Sequence, residues 1–307
     1  MATDVVLRPP TLDDVDAVVE LVNAESVRLT GSSDAETDAD EIRGWWTQPP
    51  PFDLGQDVCL AVQRDAVVGY GDLGDQAHDG AVQWLDIRGP VIPSLFDELE
   101  RRAAARARPG GLIRAVSDSS NEAYAAFLAE RGYENIRASY RMEIELAGRT
   151  FEPRLPAGAS IRSAGDDEDE LLHDLGQRSF ADHWGFVPSP PDEWRHWMRN
   201  VGPFDPALWF VGEVQGEPAG VALCSPTYHG EPDGGWVSTL GVLPAFRGRG
   251  LGTALLTHVF AEFQRRGRRR VGLGVDAENT TGAVALYERA GMRVVRRWET
   301  WEKVLRA

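Results

Sequence analysis

Apolar residues along this chain follow two rhythms, a period of two and a period near 3.6, and the same succession of the two occurs twice. The strand-like "DVVLRP" leads into "TLDDVDAVVELVNA", where Val15, Val18, Val19 and Val22 fall on one helical face and Thr11 stands at the N-cap. An acidic stretch, "SSDAETDADE", and a short helix around Ile42 to Trp46 follow. Then "VCLAVQRDAVVGYGDLG" reads as a hairpin turning near Asp65, and "AVQWLDI" as a further strand. The half closes with the amphipathic helix "PSLFDELERRAAARA", the strand "LIRAV", the helix "NEAYAAFLAERG" ended by Gly132, and the strand "SYRMEIEL".

After a Gly- and Pro-bearing connector, "AGRTFEPRLPAG", the order returns. "SIRSAGDDEDELLHDL" repeats the opening strand and helix, "WFVGEVQGEPAGVALCS" the hairpin, and "GWVSTLGV" the strand after it. Near the ends, "VSDSSNEAYAAFLAERGY" lies over "VDAENTTGAVALYERAGM" without a gap, which sets Gly132 over Gly291. The pattern predicts an α/β chain of two similar domains, residues 1–150 and 151–307. A length of 307 residues suits two cores better than one.

Composition narrows the function classes. A formal charge of −16 disfavours a nucleic-acid partner, because most of the surface would repel phosphate. The basic run "RRGRRR" at 265–270 reads instead as a helix C-terminus, with Gly267 as its left-handed cap. Two cysteines, Cys59 and Cys224, lie far apart in apolar runs and suggest neither a disulfide framework nor a metal site. No apolar run is long enough for a membrane span, and the N-terminus lacks a signal-peptide core, so a cytoplasmic protein without membrane or metal is expected.

The two halves differ at one turn. Between strand and long helix the second half reads "LPAFRGRGLGT", whereas the first has "RGPVIP". A helix N-terminus has unpartnered amides and a positive dipole end, and Gly248, Gly250 and Gly252 leave it open to an anion. No Lys follows Gly252, so the turn is not a P-loop, and no third glycine falls where a dinucleotide fingerprint needs it. Arg247, Gly250 and Gly252 fit the spacing Arg/Gln-x-x-Gly-x-Gly/Ala. The turn, with the strand before it and "VGLGVDAENTTGAVALYERAGM" after it, resembles the pyrophosphate motif of the GNAT superfamily of acetyl-CoA-dependent N-acyltransferases.

The resemblance spans nearly the whole chain and implies two tandem acyl-CoA N-acyltransferase (GNAT-like) domains. Each would be a central mixed, mostly antiparallel sheet flanked by helices. It implies acetyl-CoA bound by the second domain alone, through Leu240, Val242, Arg247, Gly248, Arg249, Gly250, Gly252, Thr253, Asn279 and Tyr287. The Val242 amide would hold the thioester oxygen, and Tyr287 would protonate the departing thiolate. Asn279 equally suits a helix cap. Many members carry a Glu eleven residues before the motif's first residue, where this chain has Trp236. The base is then sought in two loops, "RSFADHWGFVPSP" with Asp182, His183 and Trp184, and "PTYHGEPDGG" with Tyr228, His229, Glu231 and Asp233. His183 is the candidate base; Asp182, Trp184, Tyr228 and Glu231 are candidate acceptor contacts. The first domain, with Pro90 and Pro93 at the turn, would be degenerate. The activity implied is acetyl transfer from acetyl-CoA to a primary amine on a small molecule, by a monomer or homodimer. An acyl-CoA-binding sensor or scaffold without turnover, and acetylation of a protein N-terminus or lysine, are the alternatives.

Overall fold

The computed structural model describes residues 5–228, 231 and 233–305, so that His229 of the second loop lies outside the described residues. The chain forms two compact units, one of residues 1–138 with 297–307 and one of residues 139–296.

In the first unit, β1 (Val6–Arg8) is followed by α1 (Val15–Thr30), α2 (Ala39–Trp46), α3 (Leu54–Asp57), β2 (Val58–Gln63) and β3 (Ala66–Gly74). Then come β4 (Val82–Arg88), α4 (Pro93–Arg106), β5 (Leu112–Asp118) and α5 (Glu122–Glu130). Neighbouring strands pair antiparallel from β1 to β4, and β4 pairs parallel with β5. The predicted cap at Thr11 serves a short turn ahead of α1. Its amide donates to Asp14 Oδ2 at 2.8 Å, and Arg8 holds that carboxyl down to about 2. Helix α2 begins ahead of Ile42, where the Asp38 side chain accepts from the Glu41 amide.

The strands that follow are β6 (Glu134–Glu145) and β7 (Ala159–Ser163), then α6 (Asp169–Phe180) and α7 (Pro191–Asn200). They lead to β8 (Trp209–Val214), β9 (Glu217–Ser225), β10 (Gly234–Val242) and α8 (Leu251–Arg265). The last elements are β11 (Arg270–Asp276), α9 (Ala283–Arg289) and β12 (Arg293–Val304). Within the second unit the strand order is β7-β8-β9-β10-β11-β6, with only β10 and β11 parallel.

The units therefore repeat one another, but their division is not a cut at 150. Residues 139–145 of β6 pair with β11 in the second unit, while residues 298–304 of β12 pair with β5 in the first. The alternation in "SYRMEIEL" shows that a strand forms there; it carries no label for the partner that its edge meets.

Two apolar layers cover the sheet of the second unit. On one side α8 presents Leu251, Leu255, Leu256, Val259, Phe260 and Phe263 to Phe210, Ala222, Val237 and Val271. On the other, Leu172 and Leu175 of α6 pack with Trp194, Trp209, Val211 and Val221. Helix α7, which stands between α6 and β8 as α2 does between α1 and β2, brings Trp194 into this second layer. Gly235 lets α8 sit close, since a Cβ there would lie 2.5 Å from the buried Phe263 ring. Gly235→Ala is expected to cost about 1–3 kcal/mol by overpacking, read as a lowered denaturation midpoint. An unchanged midpoint would show that the ring can give way. Among the described residues no helix is long and apolar enough to cross a membrane.

Candidate active site

The site starts from a parting of two strands. Parallel pairing of β10 with β11 runs from Gly234 opposite Arg270 to Val237 opposite Leu273 and stops there. Beyond it β10 stays with β9 as far as Val242 opposite Gly220, and β11 stays with β6 as far as Asp276 opposite Ser139. A bulge at Ser238, an extra residue between Val237 and Thr239, marks the point of divergence. The Leu243 amide donates to Ala219 O on β9 at 2.9 Å, whereas the Val242 carbonyl accepts from Arg247 Nε at 3.0 Å on the opposite side. Peptide groups alternate along a strand, so the amides of Val242 and Leu240 face away from β9, into the gap.

The gap opens into a cleft of about 470 Å³. Leu240, Val242, Gly248, Gly250, Gly252, Thr253, Asn279 and Tyr287 all line it, as does His183. At its head lies the glycine-rich turn. Gly250 takes φ +92° as the N-cap of α8, and the first helical bond is Ala254 N to Gly250 O. Among the described residues, no backbone carbonyl accepts from the six amides of 248–253. Gly248, at φ +73°, has nothing within 4 Å of the position of a Cβ, and Gly250 has only Pro156 Cγ at 3.8 Å. A row of free donors on the positive end of a 15-residue helix is a cradle for an anion, and a pyrophosphate fits its chemistry.

The first unit has the same strands without this cradle. Only residues 89–92 separate β4 from α4, Pro90 and Pro93 have no N–H to offer, and Ile92 stands at the N-cap. Ile92 Cδ1 sits 2.7 Å from where a Gly69 Cβ would be, so an apolar side chain is packed where the second unit has its turn.

Tyr287 on α9 is 7% exposed, and burial alone pushes its hydroxyl up to about 12. The phenol is therefore protonated at neutral pH. Among the described residues it has no hydrogen-bond partner, which leaves the hydroxyl to whatever occupies the cleft. His183 lies in the turn after α6, edge-on to Phe180 with ring centroids 4.6 Å apart. Desolvation lowers its pKa below the usual 6.5, with Asp182 and Asp276 opposing and Arg247 assisting. At neutral pH the imidazole is thus uncharged and able to accept a proton. Asn279 closes a local turn: its Oδ1 accepts from the Thr281 amide at 2.8 Å, while the N-cap of α9 is Gly282. Asn279 also lines the cleft.

Other sequence candidates fall elsewhere. Arg247 reaches the cleft wall, but its guanidinium is bound to Asp182, Ser179 O and Val242 O. Asp182 is held in that ion pair, outside the cleft lining, and so is Arg249, which lies over the Phe246 ring at 5.9 Å. Trp184 is 41% exposed and likewise outside it. Tyr228 and Glu231 bridge each other at the foot of β10. Tyr228 stacks on Trp236 at 4.2 Å, with Arg141 over its other face at 4.1 Å. The place where a strand carboxylate was sought is thus a closed aromatic stack. Sequence reasoning missed Ser179, Phe180, Ser238 and Arg289, all on the cleft wall. Ser179 and Phe180 lie within the stretch already singled out and Arg289 lies two residues after Tyr287, but the bulge that turns Ser238 inward leaves no mark in the pattern.

Residues 170–292 match the acetyltransferase (GNAT) family. The chain is 35% identical over 296 residues to the mycothiol acetyltransferase of Streptomyces coelicolor, covering 92% of this chain and 89% of that protein. It is 32% identical to the mycothiol acetyltransferase of Geodermatophilus obscurus over 77% of this chain and 79% of that one. The chain belongs to the GNAT acetyltransferase family and is an acyltransferase enzyme. Among solved structures, a GCN5-related N-acetyltransferase from Sphaerobacter thermophilus matches 99% of the chain and 96% of its own, at TM-score 0.77 and 27% identity. A tandem GNAT protein of the clavulanic acid pathway shares the fold at TM-score 0.74 and 17% identity.

Proposed function

We propose that the second unit transfers an acetyl group from acetyl-CoA directly to a primary amine on a small molecule, and that the first unit holds no cofactor of its own. The observation that carries this is the convergence on one cleft of the free amides of 248–253, the inward amides of Leu240 and Val242, and the protonated Tyr287. Acetyl-CoA, when bound, supplies an activated acyl thioester. The turn amides would hold its pyrophosphate, and Leu240, Val242 and the Asn279 amide group its arm. The Val242 N–H is placed to stabilise charge that develops on a carbonyl oxygen. His183 takes the proton of the attacking amine, and Tyr287 gives one to the leaving sulfur. The names of the relatives support a small-molecule acceptor.

A sensor without turnover is favoured by Trp236, which removes a strand carboxylate; His183 on the same cleft restores a base. The two readings separate in a thiol-release assay with a panel of small amines and lysine-bearing peptides. Release with a small amine is expected. With His183 as base, kcat/KM should rise with pH through a value below 6.5 and stay level until the acceptor or Tyr287 titrates. Acetyl-CoA binding without thiol release on any amine would leave only the sensor, and release with peptides alone would turn the reading to protein acetylation.

A further inference from the structure

The arginine that opens the family motif has its donors spent before any ligand arrives. Arg247 Nε donates to Val242 O at 3.0 Å, and Nη2 donates to Ser179 O at 2.7 Å and to Asp182 Oδ1 at 3.0 Å. Nη1 donates to Asp182 Oδ2 at 2.5 Å. Four of the five guanidinium N–H groups are thereby used, in directions set by a planar fork. A phosphate could recruit this side chain only by breaking such bonds. The neighbouring free amides offer it a ready alternative.

The partners explain the arrangement. Ser179 lies in the last turn of α6, where a cation complements the helix dipole. Asp182 lies in the loop that carries His183, and Arg247 keeps its carboxyl below the usual range, hence charged. Val242 is the residue whose amide faces the gap. Its carbonyl, held by Nε, fixes how the end of β10 is turned. One side chain thus ties the end of β10, the end of α6 and the His183 loop together. The loop's own backbone bonds, His183 N to Phe180 O and Phe186 N to His183 O, are local and do not reach β10.

We infer that Arg247 and Asp182 are positioning residues, which lock the loop bearing His183 to the end of the oxyanion strand, and that the Arg247 side chain is not a phosphate ligand. The role given to His183 rests on the function proposed above; the tether itself does not.

The test uses the full chain as Arg247→Gln, Asp182→Asn and the double variant. Acetyl-CoA affinity is measured by calorimetry, kinetics by thiol release, and the His183 titration by NMR. Acetyl-CoA affinity should stay within about threefold of the parent in all three variants. Each single variant should lower kcat at least tenfold, and the double should lower it no further, because both remove one tether. In Arg247→Gln the His183 pKa should move up toward its ordinary value, since the loop gains solvent and loses a facing cation; Asp182 and Asp276 are the other charges that face it. A tenfold or greater loss of acetyl-CoA affinity confined to Arg247→Gln, with Asp182→Asn like the parent, would overturn the inference and make Arg247 a phosphate ligand. Parent protein that fails to bind acetyl-CoA would refute the functional reading instead. The His183 titration would then still decide the tether, upheld by a shift in Arg247→Gln and refuted by none.

Discussion

Tyr287→Phe should lower kcat by about 100-fold or more while leaving acetyl-CoA affinity and thermal stability near those of the parent. Removing a positioned general acid costs roughly 10²–10⁴ in rate, about 3–5 kcal/mol in the barrier. The structural cost is small, because among the described residues no group bonds to this hydroxyl and the ring keeps its place in the core cluster that also holds Leu255 and Met292. A second expectation follows from burial. The hydroxyl is pushed up to about 12, so its contribution persists through the physiological range and declines only when strong alkali ionises it. Unchanged turnover in Tyr287→Phe would assign the proton to water and reduce Tyr287 to an aromatic wall.

The largest effect on binding is expected at Gly250. The residue sits at φ +92°, a region that a β-branched side chain rarely enters, so Gly250→Val should reshape the turn and scatter the amides of 248–253. Acetyl-CoA affinity should fall at least tenfold, equivalent to about 1.4 kcal/mol or more. Gly252 provides the contrast. It lies inside the first turn of α8, where a Cβ would meet Leu286 Cδ1 and Val242 Cγ2 at 3.5 Å, ordinary contact distances. Gly252→Ala should therefore bind acetyl-CoA like the parent and be no less stable, given the better helix propensity of alanine. Titration of the parent should show one site per chain. If Gly250→Val retained full affinity, a site outside the glycine-rich turn would have to hold the cofactor. At the corresponding turn of the first unit Ile92 is packed against β3, and Pro90 and Pro93 have no N–H to donate.

Much of this architecture is legible along the chain because it depends on periodicities that neighbours in sequence enforce. The alternation of "WFVGEVQGEPAGVALCS" buries one face of a hairpin, and the spacing of Leu255, Leu256, Val259, Phe260 and Phe263 puts one side of α8 on the sheet. The glycines at 248 and 250 mark a turn because positive φ is a local demand. Tyr287 and His183, each next to a recognisable element, both line the cleft. Asp182, Trp184, Tyr228 and Glu231 show the limit. A loop sequence tells which polar groups are available and not which way the loop folds, and here Asp182 turns to Arg247 while Tyr228 closes against Trp236.

The sequence by itself determined that two similar α/β units form, that a glycine-rich turn opens the long helix in the second alone, and that a tyrosine follows it on the next helix. These features are set by backbone preference and by apolar spacing within about twenty residues. Tertiary structure decided which strands exchange between the units, where β10 parts from β11, and that Arg247 spends its charge on Asp182 and two carbonyls. The reason is one of range. Edge pairing, a bulge and a guanidinium's choice of partners are settled by groups tens of residues apart, whose competition for hydrogen bonds exists only once the chain is packed.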